Sequence, residues 1–197
     1  MLGERGVGAA AVRVLDRDGV LNVKSPEGSY VTSREDFVWL PDAVPALARL
    51  SRAGVRLVVV TNQRGVALGR LAEADLDEIH TAMSDDIRAA GGTIAAIYTC
   101  THDRDTCDCR KPGIGLFLQA AADDPSLDLA DSALVGDSVS DVEAGSRLGI
   151  PTYLVGSDAE RVARDATRRG LRVDAWYPSL ARLVDAFDAP GTHAGRS

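Results

Sequence analysis

Residues 15–22, LDRDGVLN, are the stretch that decides the fold of this chain. The apolar run before it, residues 9–15, predicts a short buried strand that ends here. Asp16 and Asp18 stand at i and i+2, so in an extended chain both carboxylates point to the same side. Gly19 then allows the backbone to turn away. Two carboxylates at the carboxyl end of a strand predict a site at the edge of an open α/β sheet.

The two carboxylates of this stretch also predict a metal ion. Like charges held this close together are costly unless a cation lies between them. Mg²⁺ is a hard cation that takes oxygen ligands, so a magnesium site is expected. An isolated Asp-x-Asp-Gly is more often a solvated strand end. Three further segments of this chain favour the metal site.

The length and charge of the chain limit its class. With 197 residues it has the length of one domain, which we place at residues 1–188, with residues 189–197 as a disordered tail. No apolar run reaches membrane-spanning length, and the amino terminus lacks a signal-peptide pattern, so a cytoplasmic protein without a membrane partner is expected. The net charge of −7 argues against a nucleic-acid partner.

Strand and helix patterns alternate along the rest of the chain. The β-branched run at residues 55–60 is typical of a parallel strand that is covered on both faces. This alternation predicts an α/β fold with a doubly wound parallel sheet. Pro and Gly within residues 23–33 predict a short flap over the carboxylates, in place of a large cap domain. Further strands, with helices between them, are predicted at residues 94–99, 132–135, 152–155 and 175–177.

Four segments at or beyond predicted strand ends carry side chains that suit phosphoryl transfer. One carboxylate can attack phosphorus while a second moves protons. A hydroxyl, backbone amides and a lysine can hold the phosphoryl oxygens, and Mg²⁺ can offset their charge. Each segment alone has a structural explanation as a strand terminus, a surface lysine or a helix cap, but all four in this order favour one site. The segments are Asp16 with Asp18, Thr61 with Asn62, Arg110 with Lys111, and Asp137 with Asp141.

In this order the four segments resemble the motifs of the haloacid dehalogenase (HAD) superfamily. The resemblance implies a HAD-like fold and a phosphatase, since the second carboxylate marks the phosphatases of that family. It implies that Asp16 is the nucleophile, which forms an aspartyl phosphate, and that Asp18 is the general acid/base. It further implies Mg²⁺ ligation by Asp16, the Asp18 backbone carbonyl and Asp137, with Asp141 in or near that shell. It places substrate or phosphate contacts at Thr61, Asn62, Arg110 and Lys111.

All three cysteines of the chain lie within residues 100–109, together with a histidine. Three thiolates and one imidazole complete a tetrahedral Zn²⁺ set without an open position, so the predicted zinc is structural. A disulfide is disfavoured by the odd number of cysteines and their close spacing, and an iron–sulfur cluster by the lack of a fourth cysteine. The predicted zinc ligands are Cys100, His102, Cys107 and Cys109.

The pattern Cys-x-His followed by Cys-x-Cys-Arg-Lys-Pro resembles the zinc-containing HAD phosphatases without a large cap. These include phosphatases that act on the 7-phosphate of D-glycero-D-manno-heptose 1,7-bisphosphate and phosphatases of histidinol phosphate. Residues 61–69, TNQRGVALG, are nearer to the heptose group, although Arg64 and Leu68 replace its usual Ser and Arg. The short cysteine loop is nearer to the histidinol-phosphate group. Heptose bisphosphate is the expected substrate, with histidinol phosphate or another sugar phosphate as the alternative.

Other functions on the same fold fit the sequence less well. A non-catalytic metal-binding protein would not need Asp18, Lys111 and Asp137 together. Phosphomutases of this superfamily usually carry a larger cap. We therefore expect a monomeric hydrolase whose partner is a small phosphorylated molecule. Arg110 is expected to contact the distal end of that molecule, and Arg64 either adds a second cation or is exposed.

Overall fold

The computed structural model describes residues 12–26 and 28–188. Its strands are β1 (Val12–Leu15), β2 (Arg56–Asn62), β3 (Ala96–Cys100), β4 (Ser132–Gly136), β5 (Thr152–Val155) and β6 (Ala175–Tyr177). Its α-helices are α1 (Ala43–Arg52), α2 (Glu73–Ala89), α3 (Gly115–Asp123), α4 (Val139–Leu148), α5 (Ala159–Arg168) and α6 (Leu180–Asp188). The predicted start of the first strand at residues 9–11 and the predicted tail at 189–197 lie outside the described residues.

The six strands form one sheet in the order β3-β2-β1-β4-β5-β6, and every neighbouring pair is parallel. The doubly wound α/β fold expected from the alternating pattern is therefore confirmed. The chain winds outward from β1 to β3 and then returns to place β4 on the other side of β1. The order thus reverses between β1 and β4, which is where open α/β sheets bind their ligands.

Successive residues of each strand pack into different layers of the protein. In β2, Leu57 and Val59 join the core cluster beneath α1, α2 and α6. Val58 and Val60 join the opposite cluster, with residues of α3 and α4. Side chains alternate across a strand, so both faces of this sheet are covered and the strand is apolar throughout.

The strand register brings the predicted site residues to one edge of the sheet. Leu15, the last residue of β1, pairs with Val59 on one side and Val135 on the other. Asp16 follows directly, and its backbone N–H donates to the Val135 carbonyl at 2.9 Å. Thr61 and Asp137 each lie two residues beyond these partners. The residues that directly follow or end β1, β2 and β4 therefore lie side by side at the carboxyl edge of the sheet.

The connection from β1 to α1 forms the predicted flap. The two ends of this connection run next to each other, and the Val23 N–H donates to the Val38 carbonyl at 2.8 Å. Tyr30 of the flap packs on Gly65, where a Cβ atom would lie 3.1 Å from the tyrosine ring. Glycine at this position lets the flap approach the segment that follows β2. Among the described residues, none of the helices is both long and apolar enough to span a membrane.

Candidate active site

The turn after β1 brings the first motif close to the fourth. Gly19 has a φ of +88°, and a Cβ atom there would lie 2.2 Å from Oδ2 of Asp137. Glycine therefore satisfies two requirements, a left-handed backbone and a close approach to a carboxylate. The Arg17 carbonyl accepts hydrogen bonds from the backbone N–H groups of Val20, Leu21 and Asn22. These bonds fix the turn that carries Asp16 and Asp18.

Three carboxylates meet around one buried ammonium. One oxygen from each of Asp16, Asp137 and Asp141 lies within 4.8 Å of the others. Nζ of Lys111 lies 2.9 Å from Oδ1 of Asp16 and 2.7 Å from Oδ1 of Asp141. Both distances are short enough for charge-assisted contacts, so the ammonium is held between the two carboxylates. Lys111 is only 3% exposed, and its charge partly offsets the carboxylates.

The charges of this cluster set its protonation. Burial raises the pKa of Asp16 to about 7; the Lys111 ammonium opposes the shift, and the carboxylates of Asp141, Asp137 and Asp18 add to it. Burial also acts to raise the pKa of Asp141, but the charge and hydrogen bond of Lys111 and the Ser138 donors bring it below its usual range. The Asp141 and Asp16 charges outweigh burial and raise the pKa of Lys111, which stays protonated.

Asp141 is held by the start of α4. Its Oδ2 accepts from the Ser138 hydroxyl at 2.5 Å and from the Ser138 N–H at 3.1 Å. Its Oδ1 therefore faces Lys111. Oδ1 of Asp137 is buried without a hydrogen-bond partner among the described residues. A hard cation such as Mg²⁺ binds carboxylate oxygens, and here an oxygen without a hydrogen-bond partner lies beside two further carboxylates. The three carboxylates are therefore a suitable ligand set for Mg²⁺.

Asp18 lies beside this cluster but its side chain is not part of it. Its Oδ1 accepts from Nδ2 of Asn22 at 2.9 Å, and its Oδ2 accepts from Nε2 of Gln63 at 2.8 Å. Nη2 of Arg17 donates to both oxygens, at 3.0 and 3.1 Å. Burial acts to raise the pKa of Asp18, but the Arg17 charge and these hydrogen bonds lower it below its usual range. The carboxylate is therefore oriented and ionised in this arrangement.

The second and third motifs are joined through their backbones. The Asn62 side chain donates to the Lys111 carbonyl at 3.1 Å and accepts from the Lys111 N–H at 3.0 Å. Asn62 therefore positions the lysine, in addition to lining the cavity. Thr61 is fully buried, and its hydroxyl accepts from Nε2 of Gln63 at 3.0 Å.

The site opens into a cavity of about 330 Å³ between the flap and the sheet edge. Asp16 and Asp18 line it, together with four cationic side chains: Lys24, Arg64, Arg104 and Arg110. Nη1 of Arg110 is buried without a hydrogen-bond partner among the described residues, which is costly unless a ligand supplies one.

Two of the four cations already have acidic partners. Nζ of Lys24 lies 2.6 Å from Oδ2 of Asp137. Nε of Arg64 donates to Oδ1 of Asp103 at 2.5 Å, so this arginine ties the β2 loop to the cysteine loop. Arg104 and Arg110 are therefore the cations best placed to receive an anionic group from the cavity.

The predicted zinc ligands lie together beyond β3. The three sulfur–sulfur distances are 3.6 Å for Cys100–Cys107, 3.3 Å for Cys100–Cys109 and 3.2 Å for Cys107–Cys109. Nδ1 of His102 lies 3.2 Å from Sγ of Cys109. All three cysteines are free, and these spacings far exceed the ~2.05 Å of a disulfide. In a tetrahedral Zn²⁺ site with Zn–S bonds of ~2.3 Å, the sulfur atoms lie slightly further apart than the three sulfur–sulfur distances given above. The four donors therefore fit the ion if they move apart slightly.

Sequence reasoning missed several residues of the site. Lys24, Gln63 and Arg104 stand beside recognised motifs, but neighbouring position alone does not show where a side chain points. The polar sequence neighbours of His80 predict a surface or boundary position, and this prediction is wrong, because His80 is 9% exposed and contacts Arg17. A signal was present, because His80 falls at helical spacing within the stripe Leu76, His80, Met83 and Ile87.

Comparisons with known proteins agree on one family. A family model described as HAD-hydrolase-like matches residues 108–183. The D-glycero-beta-D-manno-heptose-1,7-bisphosphate 7-phosphatase of Rhodopseudomonas palustris is 38% identical over 147 residues, which cover 71% of this chain and 79% of that protein. The chain belongs to the HAD superfamily. The resemblance indicated by the four motifs is confirmed.

Two further matches concern the phosphatases of the HAD superfamily. The D-glycero-alpha-D-manno-heptose-1,7-bisphosphate 7-phosphatase of Mycobacterium tuberculosis is 40% identical over 130 residues, 66% of this chain and 68% of that protein. A crystal structure of the D,D-heptose 1.7-bisphosphate phosphatase from B. bronchiseptica, complexed with magnesium and phosphate, has a TM-score of 0.78 and 33% identity. The match covers 88% of this chain and 96% of that one. The expectation of an enzyme of the phosphatase class is therefore confirmed.

Proposed function

We propose that this HAD protein is a Mg²⁺-dependent phosphatase that removes the 7-phosphate of a D-glycero-D-manno-heptose 1,7-bisphosphate. The observation that carries the proposal is the buried Asp16–Lys111–Asp141 ion-pair cluster, which opens into a cavity lined by Asp18 and by cations. The relatives that share this fold act on heptose 1,7-bisphosphates. A phosphatase of this kind needs a nucleophile, a proton-transfer group and cations for the phosphoryl oxygens, and each has a candidate here.

In the proposed reaction, a carboxylate oxygen of Asp16 attacks phosphorus and the bond from phosphorus to the sugar oxygen breaks. Asp18, ionised in the arrangement described above, takes up a proton before this step and gives it to the departing oxygen. Water then attacks the aspartyl phosphate while Asp18 takes a proton from it, which releases phosphate and regenerates Asp16. Lys111 and the Thr61 hydroxyl hold the phosphoryl oxygens, and Asn62 keeps Lys111 in place.

Two metal sites belong to the proposal. Mg²⁺ would be held by Asp16, Asp137 and the Asp18 backbone carbonyl, with Asp141 adjacent, and it would offset the negative charge of the phosphoryl group. Zn²⁺ would be held by Cys100, His102, Cys107 and Cys109 and would fix the loop that carries Arg104 and Arg110.

The cationic rim favours a bisphosphate. Arginine holds a phosphate by two parallel hydrogen bonds, and Nη1 of Arg110 has no partner among the described residues. Histidinol phosphate carries an ammonium group, which this rim would repel unless an acid compensated. Asp103 is a poor candidate for that role because it is already paired with Arg64.

We also propose a single domain over residues 1–188 that acts as a cytoplasmic monomer, without nucleic-acid or membrane partners.

Phosphate release with purified protein tests the proposal. We expect kcat/KM to be higher for heptose 1,7-bisphosphate, in either anomeric form, than for histidinol phosphate. Chelation of Mg²⁺ should stop turnover, and ³¹P NMR should show a heptose 1-phosphate as the product. A preference for histidinol phosphate would replace the proposed substrate, and the lack of phosphate release from every phosphorylated metabolite would reject the function.

A further inference from the structure

Arg17 is a fully buried cation with few partners. It is 0% exposed, and a buried charge is stable only when other groups satisfy it. Its Nη2 donates to both oxygens of Asp18, and its Nη1 lies 3.2 Å from Nε2 of His80. Its Nε has no partner among the described residues. Within residues 12–26 and 28–188, His80 is therefore the side chain besides Asp18 that contacts the guanidinium.

His80 can only accept a hydrogen bond from this arginine. A guanidinium has donors and no acceptor, so Nε2 must carry the lone pair and Nδ1 the proton. Burial and the positive charge of Arg17 lower the pKa of His80 to about 4, and the Asp18 charge opposes this shift only in part. The imidazole is consequently neutral at physiological pH and keeps its acceptor at Nε2.

The other donors to Asp18 are each fixed by a second contact. Nδ2 of Asn22 also donates to the Val23 carbonyl at 2.9 Å. Nε2 of Gln63 also donates to the Thr61 hydroxyl at 3.0 Å. His80 supplies the corresponding contact for Arg17 from α2, a helix that buries its apolar stripe on the sheet. In the part of the chain that the structure describes, the Asp18 carboxylate thus accepts hydrogen bonds from three side chains, and one of them, Arg17, is held by a residue of α2.

We propose that His80 is a positioning residue for the reaction: through Arg17 it holds the Asp18 carboxylate in the orientation from which a proton reaches the departing sugar oxygen. This inference rests on the proposed function and extends it. It assigns a role in proton transfer to a residue of α2, a helix that lies outside the four motifs. His80 touches neither the cavity nor the carboxylate cluster. Its effect would therefore appear only in the steps that use Asp18.

Leaving-group dependence separates this role from a general packing role. A sugar oxygen must be protonated as it departs, whereas the phenolate of p-nitrophenyl phosphate is stable without a proton. kcat/KM covers the steps from substrate binding to the departure of the leaving group, so it contains the acid step and leaves out hydrolysis of the aspartyl phosphate. A variant that misplaces Asp18 should lose more kcat/KM with heptose bisphosphate than with p-nitrophenyl phosphate.

The test uses three variants of the full chain. His80→Leu keeps much of the side-chain volume and removes the acceptor. His80→Gln retains an acceptor within reach of Arg17. Met83→Leu changes the next buried position on the same face of α2 and serves as the packing control.

We expect His80→Leu to lower kcat/KM for heptose bisphosphate by about 10-fold or more, part of the 10²–10⁴ that a general acid contributes. Its kcat/KM for p-nitrophenyl phosphate should fall by less than about 3-fold, since proton transfer contributes little there. His80→Gln should recover most of the loss. Met83→Leu should change both substrates by the same small factor.

Equal losses on the two substrates, no loss, or a failure of His80→Gln to recover activity would overturn the inference. If His80→Leu does not fold, His80→Asn replaces it: its shorter amide cannot reach Arg17, and the same split between substrates is required of it. Wild-type protein that hydrolyses neither substrate would overturn the proposed function together with the inference. Wild-type activity on both, with no split in the variants, would overturn the inference alone.

Discussion

The carboxylate cluster and the cysteine cluster gather their ligands in opposite ways. Asp16 and Asp137 directly follow β1 and β4, Asp141 lies in the first turn of α4, and Lys111 joins them from the segment between β3 and α3. The four cysteine and histidine donors come from the ten residues 100–109. The first cluster therefore exists only once the sheet has formed, whereas the second depends on one loop.

The two clusters also differ in how their charge is balanced. The carboxylates contact two ammonium groups, Lys111 and Lys24, so the protein itself supplies part of the compensating charge. Among the described residues, the side chains hydrogen-bonded to the sulfurs of the cysteine cluster are those of the cysteines themselves and His102, with no lysine or arginine. The carboxylate cluster should thus be preformed without its ion, while the cysteine loop should depend on zinc for its order.

The largest expected effect is at the nucleophile. Asp16→Asn keeps the size of the side chain but removes the attacking carboxylate, so turnover should fall to background while the fold is kept. Phosphate release measures the first effect, and circular dichroism and the thermal midpoint measure the second. Asp108→Asn, an exposed substitution in the cysteine loop, is the matched control and should retain activity. Near-normal turnover by Asp16→Asn would remove the proposed nucleophile.

The second-largest loss of activity is expected at Asp18, the proposed general acid/base, whose side chain lies beside the carboxylate cluster but has different hydrogen-bond partners. Asp18→Asn should lower kcat by about 10² to 10⁴, the usual contribution of a positioned proton-transfer group. The same rate assays apply, with metal content measured in parallel because the proposed magnesium ligand is the backbone carbonyl. A rate equal to that of the wild type would show that Asp18 moves no proton in the rate-limiting steps.

The cysteine cluster should respond more weakly in activity. Cys107→Ser should reduce bound zinc and increase hydrogen exchange over residues 100–109, while the sheet stays protected. Activity should fall by about 10- to 100-fold, through displacement of Arg110 and Lys111. Elemental analysis of protein produced with zinc available gives the metal content. Wild-type protein without zinc, or a mass that reveals a disulfide, would contradict the site.

The smallest expected effect is at the rim that the cysteine loop carries. Arg110→Ala should raise KM for heptose bisphosphate by about 10-fold, the scale of one lost charge-assisted hydrogen bond. KM for a heptose 7-phosphate without the second phosphate should change less. Steady-state kinetics with both substrates give the comparison, and Arg88→Ala, an exposed arginine at the end of α2, is the control. Equal changes in KM would place Arg110 outside the distal contact.

The sequence alone determined the features that rest on local pattern. The apolar run followed by Asp16 and Asp18, and the alternation of strands and helices, predicted the parallel sheet and its active edge. The spacing of cysteines and histidine within residues 100–109 predicted a compact donor set, because residues that close in sequence need only one loop to meet. The HAD resemblance followed from the order of the four motifs.

The tertiary structure decided which distant side chains meet. Lys111 between Asp16 and Asp141, Lys24 on Asp137 and His80 on Arg17 each join separate segments. Sequence pattern gives the face of a helix or strand, but not the element against which that face packs or the charge it meets there. His80 shows the physical reason: its position on the buried stripe of α2 was readable, but its acceptor role exists only because the sheet places Arg17 beneath it.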